Sequence, residues 1–254
     1  MPAPETDTAL FRPGDIMAAI GLLTRLPVPV SDAATRRGAR AAWAYPLAGL
    51  VVAGLGGATG WAALALGLMP WLSAGLALTV MVAATGALHE DGLADCADGF
   101  WGGWTRVRRL EIMKDSHIGT YGVLALVLGT GLRWGALTVL FDHGTVAAPI
   151  IAAAMLSRAA MPALMAALPH ARDTGLSHHV GQPAAGTVVL GGLLAVVAAF
   201  LLLGWAALGA LGMTACAAAV VAFVARARIG GQTGDVLGGT QQVCEICVLL
   251  MLTM

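Results

Sequence analysis

Charge is scarce in this chain. Only 11% of its residues are Asp, Glu, Lys or Arg, against about 25% in a soluble domain. With 58% hydrophobic residues and a mean hydropathy of +0.82, an ordinary soluble domain is excluded and an integral membrane protein is expected. Cysteine is equally sparse: Cys96, Cys216, Cys244 and Cys247 follow no disulfide framework. The CxxC at Cys244 to Cys247 lies in an apolar run without a second pair, so neither redox nor zinc chemistry is expected of it. The N-terminus, MPAPETDTAL, has acids where a secretory leader has a basic region, so no cleaved leader is expected. There is no fixed-period repeat and no low-complexity linker, and residues 1 to 254 read as one membrane domain. What the chain does have is glycine and alanine, which suit close helix packing in lipid.

Taken in order, residues 1 to 9 read as a disordered tail. Residues 10 to 30 carry an apolar face ending at Pro27 and Pro29, but also Arg12, Asp15 and Arg25. That mixture fits an interfacial or re-entrant helix better than a span. From residue 42 onward the pattern is a polytopic, all-α transmembrane bundle. Spans are expected at about 42 to 68, 71 to 88, 122 to 141, 146 to 168, 186 to 203 and 206 to 225, with a final apolar helix reaching Met254, about seven in all. Of the fourteen Lys and Arg residues, twelve lie in the N-terminal region or in the loops around 104 to 117, 170 to 173 and 226 to 228. The turns near 70, 143 and 205 contain none. The positive-inside rule then puts the N-terminus and every long polar loop in the cytoplasm.

Against this apolar background, HEDGLADCADGFWGG at 89 to 103 places Glu90, Asp91, Asp95 and Asp98 within nine residues. At about 100° per residue, the three aspartates share a roughly 60° arc of one helical face. Acids near a helix start are mildly stabilising, which accounts for one or two of them but not for a third and fourth a turn further on. Carboxylates so crowded repel unless a cation sits among them. Hard oxygen ligands suit Mg²⁺, or Mn²⁺ in its place, and such an ion binds phosphate. The interleaved glycines allow close approach to a ligand. HEDGL lacks the second histidine of a zinc-protease motif, and that reading is rejected.

Other polar groups gather at the same expected face. Lys114 and Asp115 sit in KDSHIGTYG, where Lys114 can neutralise a bound phosphate. Arg106, Arg108 and Arg109 precede them, and charge sidedness alone accounts for arginines there. Arg158, mid-span, is costly in lipid and needs a function or a carboxylate partner; Arg133 is similar unless it snorkels. The loop with His170, Arg172, Asp173, His178 and His179 offers a base or a substrate contact rather than a metal site. In IGGQTGDVLGG, the segment holding Gly231, Thr233 and Gly234 offers backbone amides to an anion, and Asp235 adds a metal ligand or base. No Walker lysine follows, so it is no P-loop. Glu245 lies inside the last apolar helix with Gln241 and Gln242 nearby, a pattern that favours a site.

Together these motifs resemble the cobalamin synthase family, also called adenosylcobinamide-GDP ribazoletransferase or cobalamin-5'-phosphate synthase. The stretches that carry the resemblance are LLTRLPVP at 22 to 29, YPLAGLVVAG at 45 to 54, EDGLADCADGFWGG at 90 to 103, RRLEIMKDSHIGTYG at 108 to 122, LSRAAMP at 156 to 162 and GGQTGDVLGG at 230 to 239. They span nearly the whole chain in fixed order. The resemblance implies a late step of vitamin B12 assembly at the bacterial cytoplasmic membrane. In that step adenosylcobinamide-GDP is joined to α-ribazole or its 5'-phosphate, with GMP released and Mg²⁺ required. It implies metal binding by Asp91, Asp95, Asp98 and Asp235, a base in Glu90 or Asp115, and phosphate contacts from Lys114 and Arg158. Arg109, Gly231, Thr233, Gly234 and Glu245 complete the expected substrate-binding set. Expected partners are these small molecules, the lipid bilayer, further copies of the chain and other cobalamin-assembly enzymes, with no nucleic acid.

Two alternatives remain at this stage. DCADG also looks like the start of the CDP-alcohol phosphotransferase motif, although Gly102 and Gly103 stand where that family has Ala-Arg and its later aspartates are missing. A cation transporter would also account for intramembrane acids, but its acids would be spread through several spans.

Overall fold

The structure, a computed structural model, describes residues 9–254; of the tail expected over 1 to 9, all but Ala9 lies outside the described residues. The described residues are helical throughout, with one isolated bridge between His170 and Gln232 and no strand. The helices in order are α1 (Gly14–Leu23), α2 (Asp32–Thr35), a 3₁₀ turn (Gly38–Ala44), α3 (Tyr45–Ala65), α4 (Pro70–Thr85), α5 (Leu88–Gly102) and α6 (Arg106–Ile112). They continue with α7 (Thr120–Asp142), α8 (Ala147–Ala167), α9 (Leu176–Val180), α10 (Ala185–Leu203), α11 (Ala206–Ile229) and α12 (Gly234–Met251).

By length and composition five helices can cross a membrane, or six if the bent pair α4 and α5 counts as one span. The expected count of seven is not reached, for two physical reasons. First, α4 has only 16 residues and turns by 85° into α5, whereas about 20 are needed to span. Second, α12 carries Asp235, Gln241, Gln242 and Glu245 in 18 residues. The segment expected to lie at the interface is the 10-residue α1, packed on α3 and the 3₁₀ turn. Its Asp15 is fully buried, held by Arg37 and by Trp43 Nε1 at 2.8 Å.

The bend between α4 and α5 is made by two consecutive left-handed residues, Gly86 at φ 61° and Ala87 at φ 56°. For alanine that conformation costs about 1–2 kcal/mol. Arg25 N donates to Ala84 O at 2.7 Å at the corner, and a Cβ on Gly86 would meet the Arg25 side chain at 2.6 Å. The bend swings α5 out of line with α4 and lays it against α12 and α7.

At the centre is α8, buried along most of its length and contacted by α3, α10, α11 and α12. Small residues set the spacing, as membrane helices require. Gly56 of α3 faces Met81 and the carbonyl of Ala77 on α4, 2.9 Å from where a Cβ would stand. Between α5 and α12, Gly92 lies against the backbone of Asp235 and Gly238.

The polar loops meet at one end. Arg106 donates to Ile229 O at 2.7 Å and Ala171 O at 2.8 Å, and Arg109 to Arg228 O at 3.0 Å. Ala171 N to Gln232 O and Gln232 N to Pro169 O, at 2.9 and 2.8 Å, join the other two loops. The arginines that sidedness alone could place there therefore lock three loops together.

Candidate active site

Helix α5 is the spine of the site, and its four acids divide by face. Asp91 is exposed and Asp95 half-buried, while Glu90 and Asp98 are buried. Asp91 shares one cavity wall with Asp235 of α12 and Arg172, and another with Asp95 and Lys114. The spine holds because Gly92 lets α12 approach: a Cβ there would stand 2.7 Å from Asp235 O. Gly99 similarly admits Met113 and the Arg109 carbonyl. The glycines expected to make room for a ligand make room for neighbouring helices.

Asp235 is aimed from the first turn of α12, which Thr233 caps by accepting from Val236 N at 3.3 Å. Its Oδ2 accepts from Thr233 Oγ1 and from Arg172 Nη2, both at 3.1 Å. Arg172 Nη1 has no partner. Gly231 packs on the carbonyl of Pro169, leaving no room for a side chain, whereas Gly234 faces open space. His170 Nδ1 lies 2.9 Å from Gln232 Nε2, and burial, then His178, lowers its pKa.

Asp98 has another task. Its two oxygens accept from Gly119 N at 2.7 Å and Gly122 N at 2.9 Å, fastening the start of α7 to α5. The fastened loop carries Lys114, Asp115 and His117, which share a cavity with Glu90, Asp91 and Asp95. Asp115 Oδ1 lies 2.7 Å from His117 Nδ1 and accepts from His117 N at 3.1 Å. The side-chain hydrogen bond to His117 holds the Asp115 carboxyl below its usual range, and the same bond raises His117. Arg109 is engaged with backbone, and its Nε is unpartnered.

Beneath the site Glu90, Glu245, Arg133 and Arg158 form one buried network. Arg133 donates to Glu90 Oε1 at 2.6 Å, Glu245 Oε1 at 2.7 Å and Gln242 Oε1 at 3.1 Å. Arg158 Nη1 stands 3.5 Å from Glu245 Oε2. Gln242 bridges to Glu90 at 3.1 Å and to Gln241 at 2.9 Å. Two arginines and two glutamates cancel in charge and join α5, α7, α8 and α12. Glu90 Oε2 is left without a partner.

The structure thus brings together Glu90, Asp91, Asp95, Lys114, Asp115 and Asp235 around α5, while Arg158 and Glu245 sit in the network below. Sequence reasoning gave no site role to His89 or His117, and left Arg133 between a function, a carboxylate partner and snorkelling. Arg133 did carry a signal, a mid-span arginine, but its partners lie 43 and 112 residues away. Among the described residues no three His, Cys, Asp or Glu side chains converge closely enough to hold a metal ion by themselves. The four cysteines are free.

A helical bundle with five membrane-length apolar helices and a carboxylate and arginine site at one end has the build of a multi-pass membrane protein. More narrowly, the chain belongs to the cobalamin-5-phosphate synthase family, whose model matches residues 15–253. It is 45% identical over 254 residues to an adenosylcobinamide-GDP ribazoletransferase of Bradyrhizobium diazoefficiens, covering 98% of this chain and 96% of the relative. The enzymes of the same name from Mesorhizobium japonicum and Azorhizobium caulinodans are 42% and 44% identical, each over 93% of this chain and over 92% and 94% of the relative. No solved structure matches.

Proposed function

We propose that this chain joins adenosylcobinamide-GDP to α-ribazole, or to its 5'-phosphate, releasing GMP, as a Mg²⁺-dependent enzyme of the bacterial cytoplasmic membrane with its site facing the cytoplasm. The observation that carries the reading is the backbone contact of α5 and α12 at Gly92, with Asp91 and Asp235 on the wall of one cavity, in a chain aligned nearly end to end with ribazoletransferases. Of Asp91, Asp95 and Asp235, one or two carboxylates would hold Mg²⁺, with water and substrate phosphate filling the rest of its shell, and Asp98 would keep α5 and the 113 to 119 loop in register beside it. When bound, the ion supplies neutralisation of diphosphate charge as GMP departs.

The residues of the chain do the rest. Lys114 from one flank and Arg172 from the other bring positive charge to the diphosphate. The open backbone at Gly234, at the N-terminus of α12, suits the same anion. The ribazole 3'-hydroxyl attacks the phosphorus attached to cobinamide, a new P–O bond forms, and the bond to GMP breaks. Glu90, with Oε2 unpartnered and its side chain lining the cavity, accepts the hydroxyl proton. Asp115, drawn onto His117, orients the Lys114 loop.

The runner-up readings lose support. Family membership disfavours a CDP-alcohol phosphotransferase. The deep acids that suggested a cation path are Glu90 and Glu245, each paired with arginine. The test is to incubate detergent-purified protein with adenosylcobinamide-GDP, α-ribazole and Mg²⁺; folded protein that gives no GMP would overturn the assignment.

A further inference from the structure

Two of the cavities along α5 share Asp91 and differ in chemistry. One is polar and open, lined by Glu90, Asp95, Lys114 and Asp115. The other lies among α1, α3, α5, α8, α9 and α12 and holds about 180 Å³. Its walls are mostly apolar, with Leu22 of α1, Met161 and Met165 of α8 and Leu176 of α9, and Asp91, Arg172 and Asp235 form its polar rim. Asp91 lines both.

The apolar cavity contains an unsatisfied polar group. His89 is 1% exposed, lines the cavity, and has no partner for Nε2. A buried polar atom without a partner costs about 1–3 kcal/mol and is expected to be met by a ligand or a water. Arg172 Nη1, at the mouth, is likewise unpartnered.

We infer that this cavity seats the acceptor nucleoside, with His89 as its buried hydrogen-bonding contact, so that its ribose reaches the rim of Asp91, Arg172 and Asp235 and meets there the donor diphosphate entering from the polar cavity. The inference rests on the transferase reading above and assigns its two substrates to two sides. A ribonucleoside with a flat, apolar, benzimidazole-type base fits both the methionine-bearing wall, whose sulfurs favour aromatic rings, and the unpartnered His89 nitrogen. A corrin macrocycle with its amide arms is several times larger than a nucleoside and stays outside. The polar cavity with Lys114 has the charge for a diphosphate. Asp91, shared by the two, stands where hydroxyl and phosphorus meet.

The test is a pair of steady-state titrations of the full chain in detergent with Mg²⁺. One varies α-ribazole and the other varies adenosylcobinamide-GDP. Leu176→Trp narrows the cavity from a residue that is 51% exposed, so it carries little folding risk. His89→Ala removes the polar contact and His89→Gln restores one. We expect Leu176→Trp and His89→Ala to raise KM for α-ribazole about tenfold, the scale of one lost contact, and to leave KM for the donor within about twofold. His89→Gln should recover most of the loss, and Lys114→Ala should show the reverse split. An unchanged acceptor KM, or equal rises in both, with an active wild type, would overturn the seat and leave the transferase reading intact. A wild type that releases no GMP would overturn that reading itself.

Discussion

Arg172 and Asp235 stand 3.1 Å apart, across two polar loops separated by 63 residues of sequence. Both side chains are partly exposed, at 16% and 20%, and such pairs contribute about 0–1 kcal/mol to stability. Their use is in aiming Asp235 toward α5. Arg172→Gln should therefore leave the thermal unfolding midpoint in detergent nearly unchanged while lowering kcat/KM by about 10²-fold, the scale of a lost charge-stabilising group. A large fall in the midpoint with activity retained would contradict this.

The network below the site has the opposite signature. Arg133 is 3% exposed and holds two glutamates; removing one member of such a buried group leaves an unpaired charge and costs about 3–5 kcal/mol. Arg133→Met should lower the unfolding midpoint markedly. Replacing Arg133 and Glu245 together should cost less than the sum of the single changes, which a double-mutant cycle measures.

Gly92 is the contact point of α5 and α12. A Cβ there meets Asp235 O at 2.7 Å, Asp235 Cα at 3.1 Å and Gly238 Cα at 3.2 Å, all backbone that cannot swing aside. Gly92→Ala should push the helices apart, separating Asp95 from Asp235, and should lower both the unfolding midpoint and turnover. Wild-type turnover with a wild-type midpoint would show that the crossing is looser than the structure has it.

The loop histidine gives a pH signature. Asp115 raises the pKa of His117 by hydrogen bond and charge. The pair is therefore at full strength below the ordinary histidine range and is lost as pH rises through the raised value. Asp115→Asn should lower the pKa of His117, followed by NMR of labelled histidine. If the pair orients Lys114, the alkaline rise in KM for the donor should move to lower pH by the same amount. An unmoved histidine titration would remove the pairing.

Much of the site was written in local pattern. The acidic stretch does form one helix, Leu88–Gly102, and the polar loops do meet one another, because period and charge placement are local properties. What could not be read was which groups meet. The 85° bend depends on Ala87 taking a left-handed conformation that alanine disfavours, and only Gly86 hints at it. Asp98 looked like its neighbours on the helical arc, yet its oxygens are taken by the amides of Gly119 and Gly122, a pairing set by how α7 docks. Glu245 and Arg158 signalled importance by being charged in an apolar helix. That they answer each other, with Arg133 and Glu90, is a product of four-helix packing that no single segment encodes.

The central claim is that the carboxylates of α5 and α12 form a metal-dependent transfer site, and Asp95 tests it most directly. The measurement is GMP release from adenosylcobinamide-GDP by purified protein with α-ribazole, at several Mg²⁺ concentrations, for wild type and Asp95→Asn. Wild type should release GMP in proportion to cobalamin product and only with Mg²⁺ or Mn²⁺ present, and Asp95→Asn should be inactive yet insert and fold normally. Metal-independent release by wild type, or near-normal turnover by Asp95→Asn, would contradict the account.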